Sequence, residues 1–324
     1  MAENAASGSG SALGPVSGPL ETLKAGGKRA LANALARVEA ASRDPATAAL
    51  LDAAFAAPQG IALGLTGPPG VGKSTLIDAL IRAWRATGRT VGVIAVDPSS
   101  SRSGGALLGD RTRLTVDPAD TGIFVRSMAA RDRLGGVAEI TYPAVVLMRA
   151  LYDLVIVETV GVGQSETAIA EVSDLTAVCV QPGSGDTLQF MKAGVMEIPD
   201  MVVVTKADLG ALATRTIADL RGALSLTGER PILGVSATSG EGVDAFVHEI
   251  CVQTATFLPH SNQIRYDQAR QWALGQISVR FGQFGLQLVH RHIVDNRDIS
   301  PFGTLSRWNS HLEATMTEAF RPLP

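Results

Sequence analysis

Nine residues, GPPGVGKST from Gly67 to Thr75, lie at the seam between an apolar run, Ile61 to Thr66, and an amphipathic stretch, Leu76 to Trp84. Gly67, Gly72, Lys73 and Ser74 carry the spacing G-x-x-x-x-G-K-[ST]. A strand that passes through a glycine-rich loop into a helix aims the loop and first-turn N–H groups at one point, where the helix adds partial positive charge. The seam, made of Gly67, Pro68, Pro69, Gly70, Val71, Gly72, Lys73, Ser74 and Thr75, therefore reads as a phosphate cradle. Lys73 is placed to bridge β- and γ-phosphates, and the Ser74 hydroxyl to face Mg²⁺.

Seven short apolar runs rich in β-branched residues follow one another: Ile61 to Thr66, Val91 to Val96, Gly122 to Val125, Leu154 to Val157, Leu175 to Val180, Met201 to Thr205 and Ile232 to Val235. Most are continuous rather than alternating, the pattern of parallel strands buried on both faces. Helical stretches separate them, among them Leu76 to Ala86, Tyr142 to Leu151 and Arg215 to Leu224. The fold class is α/β, a doubly wound, mostly parallel sheet of the P-loop NTPase type.

Ahead of the sheet, from about Glu21 to Ala57, apolar residues at helical spacing (Leu31, Leu35, Val38) and a break at Asp44-Pro45 predict two helices. Beyond Pro259 the strand pattern stops. There Leu274, Ile277, Phe281, Phe284 and Leu288 recur at steps of 3, 4, 3 and 4, a coiled-coil-like seam. Gly275, Gly282 and Gly285 oppose it, each costing about 1 kcal/mol in a helix interior. Two readings stand: a dimerising helix, or one that covers this chain's own core. The organisation is thus a leader (1–20), a helical segment (21–57), the nucleotide domain (58–258) and a helical extension (259–324).

Over 324 residues, 46% are hydrophobic, ample for a core, and the formal net charge is −3. That balance gives no general attraction to nucleic acid or to an anionic membrane. The first residues lack the basic region of a secretory signal and the arginines of a transit peptide, and read as a disordered leader. Of the two cysteines, Cys179 lies in the apolar run LTAVCVQ, as a reduced core thiol would. A cytoplasmic protein fits these features.

The base is addressed by VVVTKAD, Val202 to Asp208. A carboxylate at Asp208 accepts from guanine N1–H and the 2-amino group, whereas adenine has a lone pair and no amine there, so the wrong base leaves acceptors unpaired. Lys206 lays its stem over the purine, and GVSATSGEG offers Ser236, Ala237 and Thr238, the first two through N–H groups toward guanine O6. Asp97 and Glu158 end strands and Asp110 lies in the loop GGALLGDRTRL, where a parallel sheet gathers its ligands. Mg²⁺ keeps mostly water with one or two carboxylates, so Asp110 is read as a direct ligand and Asp97 and Glu158 as acting through water. Gly161 allows backbone approach to the γ-phosphate, and Gln164 is a candidate to hold the attacking water.

With these residues assembled, the chain resembles the methylmalonyl-CoA mutase-associated GTPases of the MeaB/MMAA/ArgK type, within the SIMIBI class of P-loop proteins. The resemblance is carried in order by GGKRALANALARVEA, GLTGPPGVGKSTLIDAL, VIAVDPSSSRSGGALLGDRTRL, IVETVGVGQSE, QPGSGDTLQFMKAGVMEIPD and VTKAD, over roughly Leu23 to Val252. It implies a GTP- and GDP-binding chaperone that associates with an adenosylcobalamin-dependent acyl-CoA mutase, gates cobalamin loading through GTP hydrolysis and protects or reactivates the mutase, without itself being assigned bound cobalamin. It also implies that Gly185, Asp186, Gln189 and Lys192 relay nucleotide state to the partner, and that the chain forms a homodimer through its helical tail. Where the family pattern has asparagine before Lys-Ala-Asp, this chain has Thr205, which removes an amide that ties the base to the P-loop. A small-molecule P-loop kinase is the rival from another class; a nickel-insertion GTPase is the rival from the same one, and would need metal-ligating His or Cys tracts that this sequence lacks.

Overall fold

The computed structural model describes residues 18–40, 44–97, 114, 116–129, 140–159, 165–183, 199–224, 230–293 and 301–319. The leader up to residue 17 and the candidates Asp110, Gly161, Gln164, Gly185, Asp186, Gln189 and Lys192 lie outside them, as does the side chain of Asp97.

Seven strands form one sheet: β1 (Ile61–Thr66), β2 (Val91–Asp97), β3 (Ile123–Ala129), β4 (Leu154–Glu158), β5 (Leu175–Val180), β6 (Met201–Thr205) and β7 (Ile232–Val235). Their order is β3-β2-β4-β1-β5-β6-β7 and every pairing is parallel. All seven apolar runs became strands. β3 alone runs well past its predicted end, through Arg126 and Ser127, because it lies at the sheet edge and pairs only with β2.

Side-chain alternation divides the core in two. Leu63 and Leu65 of β1 point to α4 (Lys73–Ala86), packing with Leu76, Leu80 and Trp84. Ala62 faces the other layer, with α5 (Thr141–Arg149) and α6 (Ser165–Ala170). Gly64 is required on that face, since a Cβ there would stand 2.5 Å from Ile169 Cγ1 of α6. At the far edge Val202 and Val204 pack on α7 (Ala211–Leu224), and α8 (Val243–Phe257) lies with α4 on the first face.

The region before the sheet holds three helices rather than two: α1 (Pro19–Ala25), α2 (Gly27–Ala40) and α3 (Pro45–Ala56). Gly27, at φ +58°, adopts the left-handed conformation and divides what periodicity read as one helix. The break at Asp44-Pro45 is as read. Asp44 caps α3, its carboxylate accepting from Ala46 and Thr47 N–H, and the Thr47 hydroxyl holds that carboxyl below the ordinary aspartate range.

The tail folds onto this region. α9 (Ser261–Ile293) and α10 (Pro301–Ala319) pack on each other, and α10 packs on α3. Asp52 of α3 accepts from Phe302 and Gly303 N–H at 3.0 and 2.9 Å, capping α10. Phe302 joins Tyr142 and Trp272, with ring centroids 5.1 to 6.2 Å apart. The predicted continuous seam does not form. Gly282, at φ 62° and ψ −158°, breaks α9 and shifts its phase, so Ile277 is buried while Phe284 and Leu288 are 55% and 41% exposed. Among the described residues the tail therefore covers this chain's own core.

Beneath the sheet, Asp174 forms a buried ion cluster. Its carboxylate accepts from Arg149 Nη1, Arg265 Nε and Arg265 Nη2, each at 2.9 Å, and from Ala62 N–H at 2.8 Å. Burial depresses the Arg149 pKa, against which Asp174 favours the charged form. The cluster binds α9 to the base of β1 and β5, at the end of β1 opposite the glycine-rich loop.

Candidate nucleotide-binding site

The loop after β1 has the shape its sequence demands. Gly67, Gly70 and Gly72 have φ of +140°, +76° and +102°, a region that side chains disfavour. A Cβ at Gly67 would also strike the Cys179 carbonyl of β5. Gly72 caps α4 without a side-chain bond, so nothing from the cap competes for the helix's first N–H groups.

Lys73 is 6% exposed and folds over this loop, donating to the Gly67 carbonyl at 2.7 Å and the Pro68 carbonyl at 3.2 Å. The ammonium is thus already held within the cradle. At the next residue, Ser74 Oγ donates to Glu158 Oε1 at 3.1 Å. Parallel pairing sets this contact, since Glu158 ends β4 in register with Leu65 of β1. Thr159, which follows, donates through its N–H to the Leu65 carbonyl and through its hydroxyl to Thr66 Oγ1 at 3.0 Å, so β4 is tied to the root of the loop. Asp97, at the end of β2, lies two residues beyond the Ala95–Glu158 pairing and so at the same end of the sheet.

A cleft of about 260 Å³ extends from the loop to the ends of β6 and β7, lined by Val71, Gly72, Thr75, Thr205, Lys206, Asp208 and the turn from Ser236 to Thr238, with Leu76, Leu209 and Val235 completing its wall. Phosphate and base candidates therefore share one groove. Asp208 lies in a short 3-10 turn, Ala207–Leu209, entered through Lys206 at φ 53°.

In place of the asparagine amide, Thr205 supplies a hydroxyl tie between the end of β6 and the P-loop. Its hydroxyl lies 2.7 Å from the Val71 carbonyl and 3.1 Å from the Val180 carbonyl, and it can donate to either. Lys206 Nζ donates to the Gly70 carbonyl at 3.2 Å and to Gln181 Oε1 at 2.8 Å. Ser236 is corrected. Its N–H is taken by the Glu241 carbonyl at 2.8 Å, and its carbonyl accepts from Gly240, so of the two N–H groups expected at guanine O6 that of Ser236 is already paired within the turn.

Three participants were missed by sequence reading. Thr66 and Thr159 lie in stretches that carry the resemblance but were given no role there, and they meet because β1 and β4 are neighbours. Gln181 opens the stretch QPGSGDTLQFMKAGVMEIPD, of which only the later residues Gly185, Asp186, Gln189 and Lys192 were given a role.

A seven-stranded parallel sheet with this loop at the end of its central strand defines the P-loop class of nucleotide-binding proteins. A family model described as "Methylmalonyl Co-A mutase-associated GTPase MeaB" matches residues 31–281, and the chain belongs to this family of GTPases. A protein of Pyrococcus horikoshii, provisionally named a GTPase, is 43% identical over 240 residues, covering 71% of this chain and 74% of that one. The mouse methylmalonic aciduria type A homolog, mitochondrial, is 42% identical over 190 residues, 56% of this chain and 46% of that protein. Among solved structures, that of a LAO/AO transport system kinase superposes with a TM-score of 0.60 at 28% identity, covering 90% of this chain and 96% of that one. Helicobacter pylori HypB, at a TM-score of 0.50 and 19% identity over 64% of this chain and 94% of its own, shares the fold. No helix among the described residues is long and apolar enough to cross a membrane.

Proposed function

We propose that this GTPase is a chaperone for an adenosylcobalamin-dependent acyl-CoA mutase, methylmalonyl-CoA mutase or a relative, in which GTP binding and hydrolysis gate cofactor loading and protect or reactivate the mutase. The observation that supports it most is the single groove that runs from Val71, Gly72 and Thr75 of the phosphate loop to Lys206 and Asp208. Membership of a family of mutase-associated GTPases supports the choice of partner.

In this reading the triphosphate lies in the loop of Gly67 to Thr75, and Lys73 exchanges the Gly67 and Pro68 carbonyls for phosphate oxygens. Mg²⁺, when bound, would be held by the Ser74 hydroxyl and Asp110 directly and by Asp97 and Glu158 through water, and would neutralise charge on the triphosphate; Ser74 and Glu158 already lie 3.1 Å apart. Asp208 reads guanine N1–H and the 2-amino group, Ala237 N–H meets O6, and Lys206 covers the ring. Gly161 approaches the γ-phosphate, Gln164 holds the attacking water, and Gly185, Asp186, Gln189 and Lys192 pass the state of the site to the mutase. Order and release of such segments by the γ-phosphate is the usual physical basis of a GTPase switch. The exposed Phe284 and Leu288 favour a homodimer through the tail, and the setting is cytoplasmic.

The test mixes the purified chain with purified mutase from the same source. GTP turnover is expected to rise severalfold, and mutase loading with adenosylcobalamin to depend on GTP. Unchanged turnover, with no complex in the presence of a non-hydrolysable GTP analogue, would overturn the reading. Likeness to a protein named a LAO/AO transport system kinase, at 28% identity, favours the rival class of P-loop kinases, a small-molecule kinase being the alternative. Phosphorus NMR separates the two, since a kinase leaves label on a metabolite and a GTPase only free phosphate.

A further inference from the structure

We infer that Gln181 is a positioning residue for purine binding, holding the Lys206 ammonium so that its stem lies ready across the base face. The inference rests on the proposed base site at Lys206 and Asp208.

Two consecutive residues, Thr205 and Lys206, each reach the same two segments. Thr205 Oγ1 lies within bonding distance of the Val71 and Val180 carbonyls, and Lys206 Nζ reaches the Gly70 carbonyl and Gln181 Oε1. Gly70 and Val71 belong to the phosphate loop; Val180 ends β5 and Gln181 is the next residue. Of these four acceptors, three are backbone carbonyls that any side chain would supply. Gln181 is the one whose identity matters, and its bond to Lys206 is the shorter of the two that hold the ammonium, 2.8 against 3.2 Å.

The backbone makes the tether consequential. Lys206 is the one non-glycine among the described residues with positive φ, at 53°, so its side chain leaves the strand end in a direction set by a constrained turn. A lysine side chain has many rotamers, and one that must be ordered by the incoming base weakens binding by the entropy it loses. An ammonium already fixed at its tip between the phosphate loop and the β5 exit has given up that freedom beforehand. The bond is charge-assisted, the stronger kind for an ammonium, so it holds the lysine's tip in place.

The experiment measures equilibrium binding of GDP and of a non-hydrolysable GTP analogue, with steady-state GTP turnover, for the full chain and for Gln181→Leu, Gln181→Glu, Lys206→Met and the double variant Gln181→Leu/Lys206→Met. Gln181→Leu is expected to raise both dissociation constants three- to tenfold while turnover of the saturated enzyme changes less than twofold. Gln181→Glu, which keeps the acceptor, is expected to restore affinity to within twofold. In the Lys206→Met background, Gln181→Leu is expected to add no further loss, as a pair acting through one contact requires. Unchanged affinity in Gln181→Leu, or a loss that persists undiminished without the lysine, overturns the inference. Asp208→Asn in the same assay tests the base site separately, with a shift from guanine toward xanthine nucleotides expected. If that shift appears and Gln181→Leu has no effect, only the role of Gln181 falls; if it fails, the guanine assignment itself falls.

Discussion

The Thr205 hydroxyl lies 2.7 Å from the carbonyl oxygen of Val71, joining the base-side strand β6 to the phosphate loop. A shorter side chain than asparagine makes this tie because the end of β6 passes close beneath the loop. Removing it in Thr205→Val should leave buried carbonyls without that donor and cost about 1–2 kcal/mol, typical of one lost buried hydrogen bond. Nucleotide affinity should fall with it, while Thr205→Ser, which keeps the hydroxyl, should remain within twofold of the parent. Calorimetric titration with GDP and urea unfolding check the two effects.

Lys73→Ala should abolish measurable GTP turnover, a loss of at least ~100-fold, because it removes the cationic group from the phosphate cradle. The loop's own fold depends on Gly67, Gly70 and Gly72 rather than on Lys73, so circular dichroism and thermal midpoint should change little. Retained turnover in a well-folded variant would exclude this loop as the reaction site.

Cys179 carries a pH signature. Burial pushes its thiol from about 9 up to about 12, with nearby Lys73 opposing the shift and Glu158 adding to it. A raised folded pKa means that the folded state keeps its proton where the unfolded state has lost it. The contribution is therefore fully present below pH 9 and is lost as pH rises toward 12. Between about pH 8.5 and 9.5, where tyrosine is still mostly protonated, unfolding free energy should fall with a slope reaching ~1 kcal/mol per pH unit, and Cys179→Val should reduce that slope. Urea midpoints measured in small pH steps would show it. Iodoacetamide should label the half-buried Cys251 in the folded protein well before Cys179.

Asp174 neutralises two guanidinium groups out of contact with water, where its own carboxylate is 0% exposed. Asp174→Asn should cost about 3–5 kcal/mol, because it leaves buried cations without their partner. The loss should appear in global stability, with guanine nucleotide affinity close to the parent's below the unfolding transition, since the cluster lies at the opposite end of β1 from the phosphate loop. Urea denaturation alongside GDP titration tests both halves of the statement.

The sheet was legible because each strand is an uninterrupted apolar segment flanked by breakers, and burial on both faces leaves such segments few alternatives. β3 extends into Arg126 and Ser127 because an edge strand gains backbone pairing without full burial of its side chains, so apolarity stops marking its end. Gly27 and Gly282 are where helix periodicity misled: hydrophobic spacing continues past a residue whose backbone turns left-handed, and only the φ angle records the break. In the site, the phosphate loop could be read because its chemistry is local in sequence. The Thr205 tie to Val71 and the Gln181 bond to Lys206 could not, because these partners lie 134 and 25 residues away, respectively. Ser236 was misread for a related reason, its N–H being consumed within a turn whose closure by Glu241 depends on geometry rather than composition.

The cap that Asp52 places on α10 has a consequence for biosynthesis. The two partners are 250 residues apart, so the face of α3 that meets α10 stays uncovered until α10 has been synthesised, although α1, α2 and α5 can already pack on α3. Nascent chains stalled before Pro301 would lack the Phe302 ring that packs on Tyr142 and Trp272, and would present that aromatic pair to whatever holdase is at hand.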